Sequence, residues 1–483
     1  MQSSILKNAS VLTLSNVLSP VASMVLVLTI GRLRGAEELG AYSLVMAVFV
    51  FIESLAALGL PVVVTREVAK RPAEASRQFA AGCAVGLGIV VGVLAFVIPG
   101  LLIWGQRTRV TLAMAILAVA VLPSVITAFG TAVLLALDHV TDFVSIDFVE
   151  KMGRAALGST LVFFGFGIIA IAWVMLLLRL LAAAAYIERL RRRGIAVTPR
   201  VDLRACGLLL KDVPVTGMIP ILNAVYVRMD VFMLTWLTSL ADVGYYGAAL
   251  RLVDISRTFP AAFGRALYPQ LSRLAGLSET KLPEVFRRAT RHLLIVMAVA
   301  VLVLSGLAGR IIIILYGQTF APAAPCLRIL AWAILPYALA CTLSNVLFAT
   351  GNQAADLRVN VICAVVCPIL HLALVPSFGI EGAAVATFVS MTLYGLLQYL
   401  FVRRLVVAPR MVGEIAQLTG IVFAAFLISW FLGGDHQLIG TVAGLSVYVV
   451  GIGSTALLSS TDRAEILRLI GAVHARFIVR RGA

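Results

Sequence analysis

The chain has 483 residues, of which 61% are hydrophobic and only 13% are charged, and its mean hydropathy is +1.03. Soluble domains are about 45–50% apolar and about 25% charged, so this composition excludes a soluble globular protein and indicates an integral membrane protein. The net charge of +16 does not indicate nucleic-acid binding, because most lysines and arginines lie in short segments between apolar runs. Basic residues in such segments are topology signals and contact anionic lipid head groups.

Apolar runs long enough to cross a membrane recur along the whole chain. A transmembrane helix needs about 20 predominantly apolar residues. Fourteen such runs are present, at 9–30, 38–63, 79–104, 110–136, 143–164, 167–188, 208–237, 243–270, 290–314, 323–349, 357–376, 380–402, 412–432 and 438–458. The first run is too long for a cleavable signal peptide, so we expect it to be retained. The sequence therefore predicts an all-α polytopic membrane protein with about fourteen transmembrane helices.

The distribution of basic residues predicts the orientation of these helices. With the N-terminus in the cytoplasm, 26 lysines and arginines fall in inside segments and five in outside segments. Basic residues accumulate on the cytoplasmic side, so both termini are predicted to be cytoplasmic. The segment 462–481, DRAEILRLIGAVHARFIVRR, is predicted to be a basic amphipathic helix on the membrane surface.

An internal repeat divides the chain. The segment 38–43 (ELGAYS), at the start of the second span, recurs 204 positions later as 242–247 (DVGYYG) at the start of the eighth. A Phe-Gly-Ile triplet at 166–168 recurs 212 positions later at 378–380. Six spans separate the copies, so the two halves have the same orientation and are related by an axis along the membrane normal. We therefore predict a six-helix lobe with a basic connecting loop at 1–206, a second six-helix lobe at 207–405, two additional spans at 406–458 and the cytoplasmic tail at 459–483.

Charged residues interrupt several spans, although a charge at the bilayer centre costs about 2.5–3.5 kcal/mol on insertion scales. The seventh and eighth spans carry Arg228, Asp230, Arg251, Asp254, Arg257 and Arg265. The helical spacing of the last four places them on one face. Such residues face a wet cavity or a partner, and their excess of positive charge predicts a cationic cavity.

The other charged spans extend this prediction. The fifth span presents Asp147, Glu150, Lys151 and Arg154 on one face, where Glu150 can pair with Arg154 and Lys151 with Asp147. Arg179 lies near the middle of the sixth span and Glu53 near the middle of the second. The candidate anion-binding residues are thus Arg154, Arg179, Arg228, Arg251 and Arg257, with the charge partners Glu53, Glu150, Asp230 and Asp254.

A structural interpretation of these residues competes with the functional one. Each arginine could simply pair with an acidic neighbour, as Arg228 could with Asp254, and hold the helices together. Glu53 could bind a coupling proton or cation, or be a carboxylate bonded to Ser or Arg. The five histidines are dispersed and the six cysteines match no metal or redox spacing, so we expect no metal site and no cofactor.

Several segments resemble the polysaccharide transporter family, which are oligosaccharide flippases of the multidrug/oligosaccharidyl-lipid/polysaccharide exporter superfamily. They are AEELGAYSL at 36–44, RMDVFML at 228–234, ADVGYYGAALRLVDI at 241–255, ALYPQLSRL at 266–274, LYGQTF at 315–320 and APCLRILAW at 324–332. The resemblance implies a two-lobe fold that carries a polyprenyl-pyrophosphate-linked saccharide from the inner to the outer leaflet of the bacterial inner membrane by alternating access. It also implies that Arg228, Asp230, Arg251, Asp254 and Arg328 belong to the substrate pathway. Membrane lipids, and a polysaccharide polymerase or glycosyltransferases, are the further partners it suggests.

Other function classes fit the sequence less well. No G-x-x-x-x-G-K-[ST] motif is present, which disfavours an ATP-driven pump. A multidrug cation antiporter of the same superfamily is the first alternative, but it favours acidic groups in the cavity. A membrane-embedded glycan polymerase or ligase is the second. The longest outer loop, near 316–325, contains no His, Asp or Glu for catalysis.

Overall fold

The computed structural model describes residues 2–104, 108–197, 202–216, 218–275, 281–406, 411–434, 436–455 and 457. Within these ranges the chain is almost entirely helical. The first part contains α1 (Gln2–Ala57), α2 (Leu60–Lys70), α3 (Ala75–Trp104), α4 (Thr108–Ala136), α5 (Val140–Phe163), α6 (Ile168–Arg192), α7 (Leu203–Thr216) and α8 (Met218–Leu237). The remainder contains α9 (Leu240–Ala275), α10 (Lys281–Gly306), α11 (Ala308–Tyr316), α12 (Ala323–Trp332), α13 (Ile334–Ala349), α14 (Gln353–Leu405), α15 (Val412–Gly433) and α16 (Gln437–Ser454).

The helices confirm a multi-pass membrane protein. In the described ranges, nine helical segments are long and apolar enough to cross a membrane. Two of them, within α1 and α14, are each broken at a single glycine, Gly35 (φ 83°) and Gly379 (φ 55°), and so contain two predicted spans each. Both glycines have positive φ, which glycine adopts without steric cost. Because α5, α8 and α9 also have the length of a span, the fold agrees with about fourteen transmembrane helices.

Several predicted spans begin or end elsewhere than expected. The second span ends at Ala57, after which Leu58 and Gly59 have positive φ and α2 begins as a separate helix. The predicted span 208–237 divides into α7, which packs on α2 and α3, and the spanning helix α8. The long apolar runs therefore predicted the helices correctly, but not the short helices attached to their ends. The predicted surface helix 462–481 lies outside the described residues.

The first of two compact units comprises residues 1–255, 312–330 and 353–394. In this unit α1 packs along α4, α5 and α8, and α4 packs along α3 and α6. Buried side chains such as Phe49 and Ile52 on α1, Phe129 on α4 and Tyr246 on α9 form its interior. This packing places the charged faces of α1, α5, α8 and α9 beside one another.

The second compact unit comprises residues 256–311, 331–352 and 395–483. In this unit α10 packs against α13, α15 and α16. The Tyr448 hydroxyl on α16 donates a hydrogen bond to the carbonyl of Ile295 on α10 (2.7 Å). At the other end of α10, Arg287 forms an ion pair with Glu414 on α15 (2.9 Å). The two additional helices are thus attached to α10 by polar contacts as well as by apolar packing. The predicted lobe boundaries at 206 and 405 remain a prediction.

Candidate functional site

A cavity of about 210 Å³ lies within the first compact unit among α1, α5, α8 and α9. Its polar lining consists of Ser23, Tyr42, Ser43, Lys151, Arg154, Arg228, Arg251 and Asp254. We call it the cation cavity, because its charged groups are the four cations Lys151, Arg154, Arg228 and Arg251 and one carboxylate, Asp254. The three-residue spacing of Lys151 and Arg154, and of Arg251 and Asp254, turns each pair toward the same space.

The four cations are only partly neutralised. Arg228 Nη1 lies 3.9 Å from Asp254 Oδ2, at the outer limit of an ion pair, and both side chains are 27% exposed. Among the residues that the structure describes, no carboxylate forms an ion pair with Arg251, and Lys151 is attracted to Asp147 outside the cavity lining. The cavity therefore has an excess of positive charge, and such a space attracts anionic groups.

Arg154 is held by a network of buried ion pairs behind the cavity. Its Nη2 atom lies 2.6 Å from Glu150 Oε1, and Glu150 Oε2 lies 3.4 Å from Arg179 Nη1. Arg179 also pairs with Glu53 (2.9 Å), and its guanidinium carbon lies 5.6 Å from the centre of the Phe49 ring. Arg179 is therefore not a lining residue; it connects α6 to α1 and α5. The prediction that Glu150 pairs with Arg154 is confirmed, and Glu53 is a carboxylate bonded to Arg.

Two further predicted site residues are not among those that line the cation cavity. Asp230 is buried, and its carboxylate accepts a hydrogen bond from the Tyr246 hydroxyl (2.7 Å), which also lies 2.9 Å from the Thr387 hydroxyl. Arg257 belongs to the second compact unit, where its guanidinium lies 5.2 Å from the centre of the Tyr337 ring. Their roles in anion binding remain predictions.

Lys151 is the charged lining residue that the sequence interpretation left out of the site. It was expected to pair with Asp147, and the two charges do attract each other, while Asp147 also accepts a hydrogen bond from the Tyr186 hydroxyl (2.9 Å). The signal was present in the sequence, because Lys151 is three residues before Arg154 and shares its helix face. In the described part of the chain, no group of three or more His, Cys, Asp or Glu residues could hold a metal ion.

The fold and the cation cavity together define a multi-pass membrane protein with a chamber suited to anions. Two family models match more than half of the chain each. One is described as "Polysaccharide biosynthesis protein" (residues 5–275) and the other as "Lipid II flippase MurJ" (residues 155–451). The chain belongs to the polysaccharide transporter (oligosaccharide flippase) family of the multidrug/oligosaccharidyl-lipid/polysaccharide exporter superfamily.

Individual relatives and solved structures agree with this family. The chain is 32% identical over 179 residues to the probable flippase AglR of Haloferax volcanii, a match that covers 36% of this chain and 37% of that relative. This chain thus aligns with little more than a third of the length of AglR. A structure of the lipid II flippase MurJ in an inward closed conformation superposes with a TM-score of 0.76 at 14% identity, covering 91% of this chain and 97% of that one. An inward-facing multidrug transporter of the MATE family gives a TM-score of 0.65 at 16% identity, covering 80% and 94%. At these identities the structures show a shared fold.

Proposed function

We propose that the protein is a flippase that moves a polyprenyl-pyrophosphate-linked oligosaccharide from the inner to the outer leaflet of the cytoplasmic membrane by alternating access. The phosphate-bearing head group binds in the cation cavity while the polyprenyl chain stays in the bilayer. In this proposal both termini are cytoplasmic, and the protein acts as a transporter and catalyses no bond cleavage. The proposal is supported by the family of the chain and by the names of its relatives, which are flippases.

The cation cavity is the single observation that carries the proposal. A phosphate-bearing head group cannot cross hydrocarbon unaided, because a buried charge without a partner is costly. The guanidinium group stays charged when it is partly desolvated and can bond two phosphate oxygens at once. Arg251, which forms no ion pair among the described residues, and Lys151, which also attracts Asp147, provide positive charge that a diphosphate can neutralise.

The remaining site residues then have distinct roles. Arg228 can exchange its long 3.9 Å contact with Asp254 for a shorter one with phosphate. Glu150 orients Arg154 toward the cavity, and Arg179 holds Glu150 in place. Arg179 is therefore a positioning residue in this proposal.

The charge of the cavity also favours the flippase over the multidrug antiporter. Four lining cations against one lining carboxylate repel a cationic drug, so the multidrug antiporter is disfavoured. Moreover, the 210 Å³ cavity is smaller than the roughly 300–1,000 Å³ of most small-molecule sites. A lipid-linked oligosaccharide is larger still, so the helices around the cavity have to separate when the substrate enters or leaves.

Charge reversal at Arg251 tests the proposal. The protein is reconstituted in vesicles that contain a fluorescent undecaprenyl-pyrophosphate disaccharide, and movement of the sugar is followed by its accessibility to a membrane-impermeant glycosidase. Arg251→Glu is expected to abolish translocation, because a carboxylate in the cavity repels the diphosphate. Arg66→Glu is the matched control, since the Arg66 side chain is 53% exposed and is not among the residues that line the cavity. Unaltered translocation by correctly inserted Arg251→Glu would refute the proposal.

A further inference from the structure

Asp147 is a charged side chain of the first compact unit to which the proposed function gives no role. It lies on α5, about one turn before Lys151, on the helix face that reaches the cation cavity through Lys151 and Arg154. The side chain is half-buried, and its carboxylate accepts a hydrogen bond from the Tyr186 hydroxyl (2.9 Å). Of the charges around it, Lys151 attracts it most strongly and Glu150 repels it. The charge of Asp147 therefore depends on a cation that lines the cavity.

Cations and carboxylates balance in the cluster around Asp147, where α5 packs against α1, α4 and α6. The charged groups of this cluster are Asp147, Glu150, Lys151 and Arg154 on α5, Arg179 on α6 and Glu53 on α1, and its hydroxyls are those of Tyr186 on α6 and Thr131 on α4. Glu150 and Glu53 each contact a guanidinium group directly, at 2.6 and 2.9 Å. In the described part of the chain, Asp147 forms no ion pair of this kind and has only the longer-range attraction of the cations. Asp147 is thus the carboxylate of the cluster that is compensated least firmly.

An anionic head group in the cation cavity would disturb this balance. A diphosphate that joins a lipid to a saccharide is negatively charged at both phosphates and, in the proposed function, lies against Lys151 and Arg154. The ammonium group of Lys151 can turn toward phosphate, because its four-carbon stem is flexible. Asp147 then loses an attraction that favours its charged form and gains a negative neighbour, which favours its neutral form. Occupation of the cavity therefore promotes protonation of Asp147.

The hydroxyls beside Asp147 can serve both of its protonation states. When the carboxylate is ionised, the Tyr186 hydroxyl donates to it, and the Thr131 hydroxyl, 2.8 Å away, can donate to Tyr186. When the carboxyl group is protonated, it can donate to the Tyr186 oxygen. The Tyr186 hydroxyl can then donate to the Thr131 oxygen or to the carbonyl of Phe143 at 3.5 Å. Neither state leaves the Tyr186 hydroxyl without a partner, so protonation does not incur the cost of an unsatisfied buried group.

We propose that Asp147 takes up a proton from solvent when an anionic head group binds in the cation cavity, so that head group and proton bind together. The proton forms an O–H bond with the carboxylate, and no other covalent bond changes. The proposal rests on the proposed function for the anion that enters the cavity. Because coupling between two ligands is reciprocal, the head group binds more weakly as the pH rises through the range in which the proton is taken up. For one proton the Kd rises by at most about tenfold per pH unit.

Calorimetry of the purified full-length protein in detergent tests the proposal. The probe is a citronellyl-pyrophosphate disaccharide, in which both phosphates are esterified, so the probe itself does not titrate near neutral pH. Binding is measured from mildly acidic to neutral pH in Tris and in Bis-Tris, because the different ionisation enthalpies of these buffers report the number of protons taken up. The parent is expected to take up as much as about one proton per bound probe, with a Kd that rises with pH.

Asp147→Asn is the decisive variant, since its amide is neutral at every pH, as the protonated acid is. It is expected to take up no proton and to have a Kd that does not change with pH. At neutral pH it should bind the probe at least as tightly as the parent, whereas a purely structural role for Asp147 would weaken binding. Glu188→Gln is the matched control, because it removes a carboxylate on α6 that is 52% exposed, and it should keep the uptake of the parent.

The possible results distinguish the proton site from the proposed function. Proton uptake that persists in Asp147→Asn, or that disappears equally in Glu188→Gln, would overturn the proton site. If Asp147→Asn does not fold, Asp147→Ser removes the same carboxylate, and persistent uptake there has the same meaning. Binding of the probe to the parent without proton uptake would overturn the proton site and leave the flippase proposal standing. A parent that does not bind the probe at any pH would contradict both.

Discussion

Replacing Glu150 by glutamine tests whether the buried ion-pair network holds the cation cavity together. Glu150 bridges Arg154 and Arg179 with its two carboxylate oxygens, at 2.6 and 3.4 Å. Glu150→Gln keeps the size of the side chain and one acceptor oxygen but removes the negative charge. Both arginines then lose a charged partner at a site where the carboxylate is only 4% exposed.

The expected cost follows from the exposure of the three side chains. Breaking a fully buried ion pair costs about 3–5 kcal/mol. Arg154 and Arg179 are 18% and 16% exposed, and Arg179 keeps its contact with Glu53, so part of the penalty is relieved by solvent and by that contact. We expect a loss of about 2–4 kcal/mol in the free energy of unfolding. In a chain of this size about 1 kcal/mol corresponds to about 1 °C in Tm, which gives a decrease of about 2–4 °C.

The assay is thermal unfolding of the purified protein in detergent, followed by intrinsic fluorescence. Glu188→Gln is the matched control, because Glu188 forms the same i,i+4 pair with an arginine, Arg192, at 2.7 Å. These two side chains are 52% and 70% exposed, and pairs at the surface contribute little to stability. Equal Tm values for Glu150→Gln and Glu188→Gln would show that burial does not make the Glu150 ion pairs more stabilising than the exposed pair.

Two other substitutions probe the cavity and the buried cluster beside it. Lys151→Gln should weaken binding of the lipid-linked saccharide about tenfold while Lys151→Arg retains it, because a hydrogen bond to a charged group is worth about 1.5–3 kcal/mol. The half-saturating saccharide concentration for translocation measures this, and equal values for Lys151→Gln and the parent would contradict a role for the lysine. Tyr246→Phe should lower the free energy of unfolding by about 1–3 kcal/mol, because buried Asp230 loses its hydroxyl donor at 2.7 Å. Thermal unfolding measures the loss against Tyr268→Phe, whose ring is 39% exposed, and a loss of the same size in that control would show that the hydroxyl contact is not its cause.

The number and placement of the membrane helices could be predicted from the sequence because apolar length is a strong and local signal. The same signal cannot distinguish one long helix from two, since α7 and α8 form a single apolar run at 208–237. Likewise, the kinks at Gly35 and Gly379 depend on backbone torsions that many other glycines in this chain do not adopt. The breaks and short helices are therefore set by packing that the local sequence does not encode.

The sequence predicted a cationic site, but it identified only some of the charged residues that line the cavity. Helical spacing identified Arg154 and Arg251, because residues three or four apart share a face whatever the neighbouring helices do, and Arg228 was identified as a charge within an apolar span. Spacing within one helix does not reveal which partner a charged residue meets on another helix. For that reason the sequence could not show that Asp230 bonds to Tyr246. The hydrogen bond from Tyr186 to Asp147 depends in the same way on the packing of α5 against α6.

The break in α1 has a practical consequence for experiments on this protein. Helical backbone continues on both sides of Gly35, so this one residue connects the two predicted spans and no loop lies between them. Epitope tags and protease sites are usually inserted into loops, and here there is none to receive them. Reporters of topology near this break in α1 are better introduced as single cysteines at exposed positions, such as Leu33, which is 52% exposed.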